Sequence, residues 1–155
     1  DPDIRITGIR LARQLELDLI DTVSKVVMDK SAAVRREASI ALRFDGSDKA
    51  SALWAELALQ HDGADRWYLE ALGIGSDLHA DARFAAWLAK AGKKWNSDGG
   101  RDIVWRVRSK QAPAYLARII KDKSLKDHAS PRYMRSFDFH KGDEKNKALE
   151  SLLDL

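Results

Sequence analysis

The densest group of chemically capable side chains is Asp65, Arg66, Trp67, Tyr68 and Glu70. On a helix, Asp65 can accept hydrogen bonds from the open N–H groups of the first turn. Arg66 and Glu70, four apart, can pair on one face. Trp67 shares another stripe with Ala71 and Ile74. That stripe reads either as an inner surface that grips a partner or as a buried tryptophan on a capped helix, the commoner use of an apolar stripe. A second group is Arg101, Asp102, Trp105, Arg106 and Arg108. Arg101 and Trp105 are four apart, so the guanidinium can cover the indole, and Asp102 and Arg106 have ion-pair spacing. These arginines can fork onto a carboxylate or phosphate, or pair within the chain with a group such as Glu70 or Asp138. A third group holds Arg132, Tyr133, Arg135, Asp138 and His140. Here Arg135 and Asp138 are spaced to bridge, and Phe137 and Phe139 are expected against the last helix. A basic ridge through Arg101, Arg108 and Arg132 would result. Arg66, Trp67, Arg101, Trp105, Arg108 and Arg132 are therefore the candidate partner-binding residues.

Other chemistries find little to work with. There is no cysteine, which removes disulfides, thiolate metal sites, covalent c-type haem and a cysteine nucleophile. His61, His79, His128 and His140 fall at helix ends or loops. No pair has the spacing of a helical zinc site. No GxSxG elbow or P-loop occurs. The expectation is thus no catalytic residue, no metal site and no cofactor in this segment. Of five tryptophans, Trp54, Trp67, Trp87 and Trp105 occupy apolar helical positions and are expected to fill core. Trp95, in the polar stretch KKWNSDGG, is the candidate exposed anchor.

The elements that must position these groups are helical. Three prolines and nine glycines punctuate 155 residues, and apolar residues recur at three- and four-residue spacing. Asp1 and Pro2 open a first helix whose Ile4, Gly8, Leu11, Ala12 and Leu15 share one face. A second runs near Leu19 to Met28, with Ile20, Val23 and Val27 on one side. A third starts near Ser31. Shifted by 30 residues, Ile4, Arg5, Gly8 and Leu11 overlay Val34, Arg35, Ala38 and Ala41, and Ile20, Val23 and Val27 overlay Ala50, Leu53 and Leu57. A two-helix repeat of this length predicts a solenoid whose units share a core with their neighbours. Later helices follow at DRWYLEALGI, DARFAAWLAKA, RDIVWRVRS, PAYLARIIKD, SPRYMRSFDF and EKNKALESLLDL. Gly99-Gly100 is the strongest expected breaker, and Pro113 and Pro131 mark helix starts. The expected fold is all-α: a right-handed α–α superhelix of about five antiparallel helix pairs, forming one domain over residues 1–155. An opening inside a repeat, without a polar capping helix, suits a segment of a larger protein.

Charge divides the chain. Residues 1–92 carry 12 basic and 15 acidic groups, and residues 93–155 carry 15 and 9. A basic half can meet an acidic partner or a phosphate backbone, or be a solvated surface. No apolar run reaches the roughly 20 residues of a membrane helix, so membrane insertion by this segment is not expected.

The small-residue pattern with Ile4-Arg5 and Val34-Arg35 at the inner turn resembles HEAT-type repeats. The strings DGADRWYLEALGIG, GRDIVWRVRS and RYMRSFDF are similar to the helical-repeat region of large bacterial proteins of the Planctomycetes–Verrucomicrobia type, membrane-bound dehydrogenases with a haem-binding domain. That resemblance implies a HEAT-like segment between a propeller-type domain and a cytochrome c-like domain in an extracytoplasmic protein. This chain has no CxxCH motif, so the resemblance assigns it no haem-binding or catalytic residue.

The function expected is noncatalytic docking of a neighbouring domain or another protein. The alternative is a nucleic-acid-binding HEAT-like protein such as a DNA glycosylase, using Arg101, Asp102, Trp105 and Arg108. The acidic N-terminal half argues against nucleic acid. A sugar platform on Trp67, Tyr68 and Trp105 is a third reading, weakened by the shallow surfaces of solenoids.

Overall fold

The computed structural model describes residues 1–125 and 130–153. Among these residues every regular element is a helix, so the protein is all-α. Ten α-helices follow in order: α1 Pro2–Gln14, α2 Leu19–Ser24, α3 Ala32–Ala41, α4 Asp48–Leu59, α5 Arg66–Ser76, α6 Ala80–Ala91, α7 Asp98–Arg106, α8 Ala112–Lys121, α9 Ser130–Ser136 and α10 Asp143–Glu150. Short 3-10 turns occupy Leu42–Phe44, Gly92–Asn96 and Phe137–Phe139. His128 lies outside the described residues.

The expected start signals do their work. Asp1, Asp18, Ser47, Asp65 and Ser97 each accept a backbone N–H at the head of a helix, satisfying donors that the helix cannot. Pro2 and Pro113 sit in first turns. Ser31 precedes α3, but its side chain makes no capping bond.

Helices in alternate positions pack on one another. α1 lies on α3, α3 on α5, α5 on α7 and α7 on α9; α2 lies on α4, α4 on α6, and α8 on α10. The starts of α5, α7 and α9 are 32 residues apart, as are those of α4, α6 and α8. One continuous core results, with Val34, Leu42, Trp54, Leu57, Leu72, Phe84, Trp87, Leu116 and Ile119 almost wholly buried. Between α6 and α8 the Gly92–Asn96 turn intervenes. Trp95 meets Tyr115 edge-on at 5.0 Å, and Phe84 meets the same ring at 5.5 Å.

Three expectations fail here. Of the face Ile4, Gly8, Leu11, Ala12 and Leu15, only Ala12 is buried; the other four point to solvent, and Ile9, outside that face, enters the core. α1 packs against α2 and α3, and the exposed part of its apolar stripe faces away from both. The helix expected near Leu19 to Met28 is regular only to Ser24. Gly99 and Gly100 do not break a helix; they form the first turn of α7. A Cβ on Gly99 would overlap the His61 carbonyl oxygen, and one on Gly100 the Trp95 carbonyl oxygen. These glycines serve close approach.

Candidate functional site

The Asp65 cap sets up the first group. Its carboxylate accepts the Tyr68 N–H at 3.0 Å, which fixes the helical register. Tyr68 then turns inward. Its hydroxyl donates to the Leu57 carbonyl at 2.9 Å, and the Arg35 guanidinium lies over its ring at 5.3 Å. Burial raises the phenol's pKa against the opposing pull of Arg35. Trp67, one residue earlier, must face out and is 73% exposed. It is therefore not the core tryptophan that its stripe suggested. Tyr68 and Leu69 occupy the inward arc of this turn, and Trp67, about 100° before Tyr68, falls outside it.

Trp67 stands at an open groove of about 540 Å³ along α1, α3 and α5, where Ile6, Ile40, Ala71 and Ile74 supply apolar wall. Ion pairs rim it. Arg10 donates to Glu37 at 2.9 Å, Arg36 lies 3.6 Å from Asp65, and Arg66 donates to Glu70 at 2.9 Å. Glu70 also accepts from Arg106 at 3.0 Å. Burial opposes ionisation of Glu70, but the bonds from Arg106 and Arg66 outweigh it and hold the carboxyl below its ordinary pKa. The surface thus combines an exposed indole, an aliphatic wall and both signs of charge.

The second and third groups converge, but not in the pairs expected. Asp102 is buried and is not bonded to Arg106. It takes His61 Nε2 at 3.0 Å and Arg132 at 2.7 Å. Burial resists its charge, while the bonds and charge of these partners hold its pKa below the usual carboxylate value. Arg132, not Arg101, covers Trp105, 4.4 Å from the ring centroid. Arg101 turns to Asn96 at 2.9 Å and Asp122 at 2.8 Å. Asn96, donating to Asp122 at 2.9 Å, then Ser124 and the Arg101 charge pull the Asp122 carboxyl down to about 2 against its desolvation. Arg108 donates to the Trp105 carbonyl at 2.9 Å and stacks on Phe139 at 4.4 Å. Burial and nearby Arg106 lower its pKa, against Asp77 and Glu70.

The predicted ridge is therefore divided. Arg66 and Trp67 lie together on α5, Trp105 and Arg132 form a stacked pair beside Asp102, Arg108 rests on Phe139, and Arg101 ties α7 to the segment after α8. Arg135 and Asp138 make no ion pair among the described residues. Phe137 is buried, whereas Phe139 is 59% exposed beneath Arg108. Trp95 is half-buried on Tyr115 rather than an exposed anchor. Trp54 and Trp87 are core, and Trp105 is only partly buried.

Two groups escaped the sequence reading. Arg83 is fully buried, donating to Ser51 Oγ at 3.0 Å and to the carbonyls of Leu42 at 2.9 Å and Asp45 at 2.6 Å. Its removal from water lowers its pKa to about 10, despite the Asp45 charge. The available signal was its place four residues before Trp87, on the apolar side of the helix. His61 lay in a predicted loop and gave no sign of its partner 41 residues away.

No set of three or more His, Asp or Glu side chains among the described residues converges to hold a metal ion. Among the described residues no helix is long and apolar enough to cross a membrane. No family model, curated protein or solved structure matches the chain.

Proposed function

We propose that this chain is a noncatalytic helical-repeat scaffold that docks a protein partner or neighbouring domain through the groove beside Trp67. The proposed architecture is a right-handed α–α superhelix of HEAT-like type with five antiparallel helix pairs. The 32-residue spacing of helix starts and the contacts between alternate helices support it. A stack of this kind presents long open surfaces rather than a deep reaction pocket.

The exposure of Trp67 carries the docking reading. A large indole in water beside an aliphatic wall is a ready anchor, because tryptophan concentrates binding energy when a partner desolvates it. The ion pairs around it suit the polar rim of an interface. By contrast, Asp102, Arg101 and Arg132 have their charged groups engaged within the protein, which weakens a glycosylase-like role for them. The resemblance to the dehydrogenase family makes flanking domains of an extracytoplasmic parent the first partners to test.

Calorimetric titration against those separately expressed domains should show saturable binding. Trp67→Ala should weaken it by roughly 2 kcal/mol or more while leaving the helical circular dichroism unchanged. Equal affinity in the variant would remove the groove from the interface. Tight, steeply salt-dependent binding to duplex DNA that ignores Trp67 would favour the nucleic-acid reading instead.

A further inference from the structure

The opposite end of the molecule carries a second groove of a different chemistry. It has a volume of about 630 Å³ and runs between α8 and α10. Its floor is apolar, built from Ala114, Ala148 and the ring of Tyr115. Its walls are basic: Lys110, Arg118, Lys121 and Lys147 face one carboxylate, Glu144. All four cationic residues are exposed. Arg118 lies over Tyr115, 4.9 Å from the ring centroid. None of the four forms an ion pair among the described residues, although arginines along the rest of the stack join acidic groups repeatedly.

We propose that this groove is the docking site for an acidic amphipathic helix of a protein partner. Charge and shape together select this occupant. Four cations against the single carboxylate of Glu144, none in an ion pair among the described residues, create a local positive field, which favours an anionic partner and its capture. The apolar floor requires that the same partner also bring aliphatic side chains, since burying the floor beneath charge alone would gain nothing from water release. A nucleic-acid backbone meets the first requirement and not the second. The stripe from Gln111 through Ala114 and Tyr115 to Arg118 and Lys121 has the spacing of a single helix face. It is about 15 Å long at 1.5 Å per residue, which matches roughly three turns of a helical ligand. This site is independent of the Trp67 groove.

The test is fluorescence anisotropy of the whole chain with a labelled helical peptide of about four turns, leucine on one face and glutamate on the other. The expected result is saturable binding that weakens at least roughly tenfold in R118E/K147E and with rising salt. A peptide of the same composition with the leucines scrambled should bind several-fold less tightly. The helical circular dichroism of R118E/K147E at the assay temperature should match the parent, since both side chains are exposed, although the melting midpoint should fall modestly because both charges sit in last helical turns. W67A should bind the peptide like the parent, whatever happens to docking at the other groove. No binding would overturn the proposal, as would indifference to the charge reversals or to leucine order. Tighter binding to duplex DNA or to phosphatidylserine vesicles than to the peptide would also overturn it, by assigning the cations to phosphate.

Discussion

Arg83 shows how much of this fold depends on a single buried charge. Its guanidinium joins α6 to the end of α3, the following turn and α4 by bonds to Leu42, Asp45 and Ser51. Replacing it with leucine keeps the volume but leaves two carbonyls and a hydroxyl short of their donor. An unsatisfied buried group costs about 1–3 kcal/mol, so Arg83→Leu should lose on the order of 3 kcal/mol in urea unfolding. Arg83→Lys should recover only part of it, because one ammonium cannot reproduce the fork. A variant as stable as the parent would show that these bonds contribute nothing net. Composition could not reveal this role: an arginine four residues from a tryptophan looks the same whether it snorkels to water or is enclosed. The adjacent Trp67 and Tyr68 pose the same difficulty. Both are aromatic, and the choice of which one enters the core is made by Leu57 and Arg35, which lie distant in sequence.

At the scale of elements, caps and prolines were readable because their physics is local. Asp1, Asp65, Pro2 and Pro113 act within one turn of themselves. Packing faces were less readable, since they depend on neighbours. The face Ile4, Gly8, Leu11, Ala12 and Leu15 has correct helical spacing, yet all but Ala12 face solvent, because α2 and α3 pack on α1 elsewhere. Glycines sharpen the contrast into a prediction. Gly75 sits where α5 meets α3, and a Cβ there would overlap the Ser39 carbonyl oxygen. A backbone group cannot swing aside, so Gly75→Ala must separate the helices, at about 1–3 kcal/mol. Gly8 has open space around its Cβ position. There alanine should stabilise by roughly 0.5–1 kcal/mol, the helix-propensity gain over glycine. Thermal melts of the two single variants should therefore move in opposite directions. A shift in the same direction would contradict the assigned packing of α3 on α5 or the exposure of α1.

Across the whole molecule, ion pairs stitch successive helices, and their titration should set the response to acid. Asp29 with Arg5, Glu70 with Arg106, Asp102 with Arg132 and Asp122 with Arg101 link neighbouring parts of the stack. Each carboxyl has its pKa lowered in the folded state. The unfolded chain therefore binds protons first as pH falls, and the stability from these pairs is present above about pH 4 and lost below it. His140 acts earlier. Burial pulls its pKa to about 4, assisted by the positive charges of Arg108 and Lys145. Between about pH 6.5 and pH 4 the unfolded chain carries a proton on this histidine that the folded chain does not. Stability should consequently begin to fall below about pH 6.5, by at most about 3 kcal/mol by pH 4, before the carboxylates add a steeper loss. Urea midpoints measured from pH 7.5 to pH 3 should show these two stages. In His140→Gln the upper stage should flatten, whatever the variant's stability at pH 7, while the lower stage should remain. An unchanged slope between pH 6.5 and pH 4.5 would mean that His140 takes up its proton in the folded chain as readily as in the unfolded one.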